Sequence, residues 1–338
     1  MLTTPLAIAL LQTVLPPDSG EVRLRNIRQL TFGGQNAEAY FSADGQQLIL
    51  QRQETDSVCD QQYTIRVDGG GLRRVSSGLG RTTCGYFFAG DTRIVYASTE
   101  HLGPACPPVP DRSRGYVWAL YDYDLYTANT DGGDVRRLTT SPGYDAEATL
   151  SPDGELIVFT SLRDGDVDIY TMRVDGSDLR RLTHELGYDG GPFFSHDGRR
   201  IVWRRSVLPT AQDSADYRAL LEQNLVRPSR MEIWVMDADG SNQHQVTELG
   251  GANFAPYFTP DDRAIIFASN HTNPRGRNFD LFLINVDGSG LERVTTYGDF
   301  DGFPMFSPDG RQLVFASNRN GSVPGETNIF IADWVAHP

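Results

Sequence analysis

The sequence predicts an all-β fold, a six-bladed β-propeller of four-stranded antiparallel blades, and three observations carry that prediction. First, a tight turn of the Ser-Pro-Asp-Gly type recurs at Asp44, Asp91, Asp153, Asp197, Asp261 and Asp309. Second, the turns lie 44 to 64 residues apart, and four short strands in roughly 40–45 residues make one propeller blade. Third, the two ends of the chain complement each other. Arg28-Gln29-Leu30-Thr31 matches the outermost strand of a blade but precedes the first inner strand, whereas the last blade stops after its third strand at Asn328–Trp334. The N-terminal strand is therefore expected to complete the last blade, which leaves no unpaired strand edge between first and last.

The third blade shows each element most clearly. Ala146–Ser151 reads as the inner strand, and Pro152-Asp153-Gly154 turns the chain. Leu156–Ser161 is rich in β-branched and aromatic residues and forms the second strand. Asp168–Val174 alternates as the third strand, Asp175-Gly176 is a hairpin signal, and Leu179–Thr183 closes the blade. The third strand recurs as Asp124-Leu-Tyr, Glu232-Ile-Trp, Asp280-Leu-Phe and Asn328-Ile-Phe. The outer strand recurs as Arg136–Thr139, Gln245–Thr247 and Arg293–Thr295. Such blades have two apolar faces, which must stack on neighbours.

Two intervals exceed the others by about 20 residues, the excess being one long loop each. Blade two carries an insertion at about 101–120, rich in Pro and including Tyr116 and Trp118. Blade four carries one at about 207–230. In the latter, Ser214–Leu225 has a helical pattern, with Ser214 placed to cap it and Pro228 just beyond. Both insertions separate a second from a third strand. In an up-and-down blade that loop shares an end with the entry to the next inner strand, so both are expected over one mouth of the central channel. Long loops on a rigid scaffold are where function collects.

The domain organisation that follows is a leader or degenerate signal segment, 1–21, and a single propeller domain, 22–338. Residues Leu6–Leu15 are apolar, but no positive n-region and no small-x-small cleavage site frame them. The run is too short to cross a bilayer as a helix. The net charge of −14 argues against a nucleic-acid partner, whose phosphates need clustered Lys and Arg. Of three cysteines, Cys59, Cys84 and Cys106, none stands in a CxxC pair, so a structural zinc site is not indicated. A bridge from Cys84 to one of the other two is expected if the protein is exported, with the partner open.

The strings Ser151-Pro-Asp-Gly154, Asp168-Ile-Tyr170, Asp175-Gly-Ser177 and Arg180-Arg-Leu-Thr183, repeated as Ser307-Pro-Asp-Gly310 and Asp287-Gly-Ser289, resemble the TolB-like branch of bacterial WD-repeat-like propellers. The resemblance covers about residues 22–334. It implies the fold and an envelope location, periplasmic or otherwise extracytoplasmic. The insertions in blades two and four set the chain apart from the TolB protein itself. Similar propellers precede the hydrolase domain of prolyl oligopeptidases, but the Gly-x-Ser-x-Gly elbow of that domain does not occur here.

The candidate site is the decorated channel mouth. Asn36, Thr83, Asp145, Asp189, Asn253 and Asp301 each stand six residues before the first-turn Ser or its equivalent, and Glu38 and Glu147 follow two residues on. Six-fold repetition would gather these residues around one opening. Like charges so placed repel, and a bound cation would relieve them. Ca²⁺ on Asp145, Asp189 and Asp301 is one expectation; the other is that each residue caps the entry into its strand. Trp118, Tyr217 and Tyr144 are the candidate aromatic anchors. Asp124, Asp168, Glu232 and Asp280 read as a repeated architectural bond, and Asp164-Gly-Asp166-Val-Asp168 as a polar hairpin. The function expected is a monomeric, non-enzymatic protein- or peptide-binding scaffold. The alternative is a metal-dependent hydrolase or lyase using the channel carboxylates.

Overall fold

The computed structural model describes residues 14–336 except 112 and 114. Residues 1–13, most of the expected leader, lie outside the described residues. Six antiparallel sheets stand around a central axis, each with its inner strand at the axis. The inner strands are Gln35–Phe41, Thr82–Phe87, Asp145–Leu150, Asp189–Phe194, Asn253–Phe258 and Asp301–Phe306. The chain folds this way because each second strand (Leu156–Ser161, for example) is buried on both faces, against the neighbouring blades. Between blades three and four, Val158 and Ile169 pack on Ile201 and Trp203, all fully buried.

The ring closes as the chain ends predict. Leu24–Gln29 pairs with Asn328–Trp334 and supplies the outer strand of blade six. Val14–Leu15 adds a fifth strand outside it, so residues just before Leu24 already belong to the blade. The Arg-Leu-Thr string acquires a physical role here. In blade three the Thr183 hydroxyl donates to Asp168 Oδ1 (3.0 Å) and accepts the Ile169 N–H (2.9 Å). Thr139 with Asp124 and Thr247 with Glu232 make the same bond, and Leu281 donates its N–H to Thr295. Thr31 makes it across the closure, donating to Asn328 (3.2 Å) and accepting from Ile329 N–H (2.9 Å). The repeated third-strand acid thus fastens the outer strand, and Arg137, Arg181 and Arg293 pair with Asp124, Asp168 and Asp280.

Three local expectations are corrected. The helix of blade four spans Ala211–Leu221, and its N-cap is Thr210, not Ser214. Thr210 and Asp213 form a capping box, which satisfies two backbone donors of the first turn and so fixes the start. In blade two the turn is shifted by one residue, because Phe88, not Ala89, donates its N–H to the second strand, at the Arg93 carbonyl. Asp91 therefore takes the left-handed position that Gly154 fills in blade three (φ 56° against 74°). Asp262 does the same in blade five (φ 57°). Each uses its carboxylate to accept two backbone N–H groups of another blade's turn: Asp91 those of Ala43 and Asp44, Asp262 those of His196 and Asp197. Lastly, the disulfide joins Cys59 to Cys106, and Cys84 is free.

Candidate functional site

Every inner strand carries a bulge. Its register slips across two residues, as from Ala146 to Thr149 in blade three. The first of the two residues inside each slip is left-handed: Glu38, Cys84, Glu147, Gly191, Ala255 and Phe303, with φ from 50° to 60°. A bulge of this kind re-aims one side chain. All six residues line a single small cavity of about 20 Å³ on the channel axis. Left-handed backbone is unfavourable for residues with a Cβ, yet five of the six are not glycine. Strain repeated at one position around an enclosed site is the pattern expected of a site whose side chains are used.

Two residues further on, a layer of rings crosses the channel. Tyr40 and Tyr86 contact Phe193, at 5.4 and 6.2 Å between centroids, and Phe193 contacts Tyr257 at 5.3 Å. Phe193 lines the small cavity on one side and a wider one, of about 190 Å³, on the other. The wider cavity is walled by apolar residues at the far ends of the inner strands, among them Phe41, Phe87, Leu150, Phe194 and Phe306. The channel is thus two pits back to back.

The first pit is charged. Glu147 accepts hydrogen bonds from Tyr188 Oη (2.9 Å), Thr160 Oγ1 (2.8 Å) and the Gly191 N–H (2.9 Å), and it is ion-paired with Arg204. Glu38 stands beside it, with its Oε2 buried and no hydrogen-bond partner on that oxygen. Burial, the nearby Glu147 and Asp60 raising and Cys84 and Arg204 lowering, pushes the Glu38 carboxyl up to about 7. Burial also pushes the Cys84 thiol well up, so it is held protonated and is no activated nucleophile. Cys84 is 3.2 Å from Thr83 Oγ1.

The insertions meet above this pit. Trp118–Ala119 of blade two pairs with Leu225–Val226 of blade four, bridging blade three. The Trp118 ring lies over the Arg204 guanidinium (5.3 Å) and against Tyr188 (6.0 Å). Tyr217 of the helix donates to Asp166 Oδ1 in blade three at 2.5 Å. On the opposite side Phe254, Phe279, Phe300 and Phe303 form an aromatic cluster.

The polar residues expected at the mouth divide into two groups. Glu38 and Glu147 are brought together in the pit. Asn36, Asp145, Asp189, Asn253 and Asp301 are instead buried in the wall, each bonded locally. Asp145 holds Arg163 (2.9 Å) and Ser161 (2.5 Å). Asp189 holds Arg205 and Trp203 (both 2.7 Å), and Asp301 holds Arg319 (2.9 Å). Asn36 accepts from Arg52 (2.6 Å), and Asn253 from Ser269 (2.6 Å). The matching position in blade two is Thr82, which pairs with Ser98 as Asp145 pairs with Ser161; Thr83 is one residue out of step. Among the described residues no three of His, Cys, Asp or Glu are grouped to hold a metal ion, and Asp145, Asp189 and Asp301 are not brought together. Tyr144 and Tyr217 are buried, so of the expected anchors only Trp118 keeps partial exposure. Residues Asp164, Asp166 and Asp168 bond Tyr170, Tyr217 and Arg181 respectively, as a polar hairpin would.

Sequence reasoning missed Arg204, Gly191, Ala255 and Phe303. For Gly191, Ala255 and Phe303 the signal was the position two residues after the polar strand start, which singled out Glu38 and Glu147 only; Arg204, on a second strand, had none.

Comparison with known proteins agrees with this architecture. The family model of the Tricorn protease N-terminal beta propeller domain matches residues 108–220, and that of the TolB beta propeller domain matches residues 221–332. The chain is a TolB-like six-bladed β-propeller. Among solved structures, the propeller superposes on a TolB described as putative from Agrobacterium tumefaciens with a TM-score of 0.58. That match has 19% identity and covers 89% of this chain and 91% of that one. TolB from Acinetobacter baumannii gives 0.57 at 17% identity, covering 89% and 64%. An oligogalacturonate lyase in complex with manganese gives 0.56 at 14% identity, covering 96% and 97%. These likenesses speak for the fold. In sequence, the Tol-Pal system protein TolB of Bordetella pertussis is 48% identical over 42 residues, which is 12% of this chain and 10% of that protein. The propeller therefore matches about a tenth of the length of that curated relative. No helix among the described residues is long and apolar enough to cross a membrane.

Proposed function

We propose that this propeller is a non-enzymatic scaffold of the bacterial envelope that takes a protein or peptide segment at its decorated mouth. The observation that carries the reading is the pit itself. It is blind, floored by aromatic rings, charged, and rimmed by strained side chains under a platform built from the two long insertions. Such a concave site with a few convergent polar groups is suited to binding. The 42-residue match to TolB proteins supports an envelope setting, and so does the Cys59–Cys106 disulfide, since such bonds persist in oxidising compartments. Trp118 and Phe303 are the proposed contact residues at the mouth.

Affinity capture from an envelope extract tests this, comparing wild type with a Trp118→Ala/Phe303→Ala double variant whose thermal midpoint is checked first. A protein held by wild type and lost by a folded variant is the expected result. Identical capture by both would remove the mouth from the reading. Chelator-sensitive turnover by the purified protein would replace the scaffold with a metal-dependent lyase or hydrolase.

A further inference from the structure

We propose that the pit at the centre of the ring is a site for one primary ammonium group, held by Glu38. The inference rests on the scaffold reading and names the chemistry of what enters the mouth.

Charge balance is the first argument. The Arg204 guanidinium is engaged by Glu147, and Glu147 is further saturated by Tyr188, Thr160 and the Gly191 N–H. That group is electrically neutral. The adjacent Cys84 thiol is uncharged. Glu38 is left as a second carboxyl group beside that thiol, with a buried Oε2 that accepts no hydrogen bond. A buried acceptor without a donor is costly, and more so when ionised. Once ionised, Glu38 therefore lacks a counter-charge and a donor on Oε2; the Arg204 Nε–H is also without a partner, but it belongs to a cation that Glu147 already neutralises.

Size is the second argument. About 20 Å³ is room for a single water-sized group. An ammonium head fits that space, whereas a planar guanidinium does not. Three N–H donors suit Glu38 Oε2 together with the Thr149 hydroxyl, which donates to Pro192 O (2.8 Å) and retains lone pairs to accept. Tyr40, Phe193 and Phe303 complete the lining, and aromatic walls favour a cation. A metal ion is less well served, since no group of three ligating side chains converges among the described residues. Backbone strain is the third argument. Glu38 keeps a carboxylate at φ 52°, where glycine would be relaxed.

The ammonium could be carried by a lysine side chain or by the amino terminus of a partner peptide. The test is the thermal midpoint of wild type and Glu38→Gln with methylammonium, using tetramethylammonium at equal ionic strength as the oversized control. Wild type should show a saturable rise of a few degrees with methylammonium and none with tetramethylammonium. Glu38→Gln should show neither. Ala255→Met, which fills the pit without altering a carboxylate, should also abolish the rise and serves if Glu38→Gln fails to fold. Nα-acetyl-lysine amide and Nε-acetyl-lysine amide then separate a side-chain ammonium from an α-ammonium, and binding of either supports the site. No saturable rise in wild type, or an equal rise in both variants, overturns it. Partner capture is read separately. Capture retained by wild type without any methylammonium response removes the ammonium site and leaves the scaffold. A methylammonium response with empty capture lanes does the reverse.

Discussion

Replacing Ile27 with alanine tests whether the N-terminal strand is a structural part of the ring or an end that frays. Ile27 is fully buried, as is Ile157 in the second strand of blade three, far from the closure. Truncating a buried Ile to Ala removes the same groups at both sites and costs about 2–5 kcal/mol where the surroundings stay packed. If the strand is integral, both variants should lose comparable stability. For a chain of this size that is a fall in melting midpoint of about 3–7 °C, in one transition. If the strand opens before the ring melts, the side chain is already in water at the global transition, and Ile27→Ala should leave the midpoint where it was. Three features favour the first outcome. Leu24, Ile27 and Leu30 are all buried. Thr31 repeats the outer-strand bond on Asn328 and Ile329. Glu21 reaches Arg319 Nη2 at 2.9 Å, the same atom that holds Asp301, tying the N-terminal segment to blade six. Scanning calorimetry of wild type, Ile27→Ala and Ile157→Ala reads the result. An unchanged midpoint for Ile27→Ala beside a clear fall for Ile157→Ala would refute closure as a source of global stability. Deletion of residues 22–31 should then also leave the ring intact, rather than lower its midpoint as expected here.

Glu38 gives a pH signature. Its folded pKa of about 7 lies above the ordinary 4.5, so between these values the folded state holds a proton that the unfolded state has lost. Its contribution is therefore fully present below about pH 4.5, falls as pH rises to about 7, and amounts to about 3 kcal/mol at most. Asp168 and Asp301, also pushed up by burial, share that sign, so the expected result is a shallower slope in Glu38→Gln than in wild type in urea melts from pH 4.5 to 7.5; parallel slopes would count against it. Arg204→Met should cost about 3–5 kcal/mol by leaving Glu147 buried without its cation, measurable in the same melts, and a change below 1 kcal/mol would show the pair to be dispensable. Cys106→Ser should cost about 2–5 kcal/mol, because the bridge closes a separation of 47 residues; a reductant should lower the wild-type midpoint and leave that of the variant unchanged.

The repeat was legible because each of its pieces answers a local requirement. Ser151 takes its place from the turn, where it donates to Asp153 and accepts from Leu156. Thr183 takes its place from the bond to Asp168. Local chemistry of this kind leaves the same letters in every blade, so the blade count, the closure and the architectural role of Asp124, Asp168 and Asp280 could be read directly. Blade two was misaligned by one residue because Asp91 resembles the turn aspartate in sequence while standing in the glycine's place. Only its φ of 56° and its bonds to Ala43 and Asp44 reveal the shift. That slip carried Thr83 into the place of Thr82 and concealed Cys84 as the counterpart of Glu38. The arginines were illegible for a different reason. Arg52, Arg163, Arg205 and Arg319 meet Asn36, Asp145, Asp189 and Asp301 across 16 or 18 residues of sequence. Nothing in composition distinguishes those arginines from the exposed ones.

The bulge decides which acids are architectural and which remain available. Without it, alternation would aim the first and third residues of an inner strand the same way, and Asp145 and Glu147 would share one role. The left-handed residue breaks that alternation. Asp145 stays against the second strand, where Ser161 and Arg163 occupy it, while Glu147 joins Glu38, Cys84, Gly191, Ala255 and Phe303 on the axis. The wall positions vary only among residues that can satisfy a neighbouring strand: Asn, Thr, Asp. The axial positions range from glycine to phenylalanine, as expected where side chains face a cavity rather than a fixed partner. A difference of two residues in sequence thus separates the groups that hold the ring from the groups that can meet a ligand. Substitutions at the wall should act on stability, and those at the axis on binding.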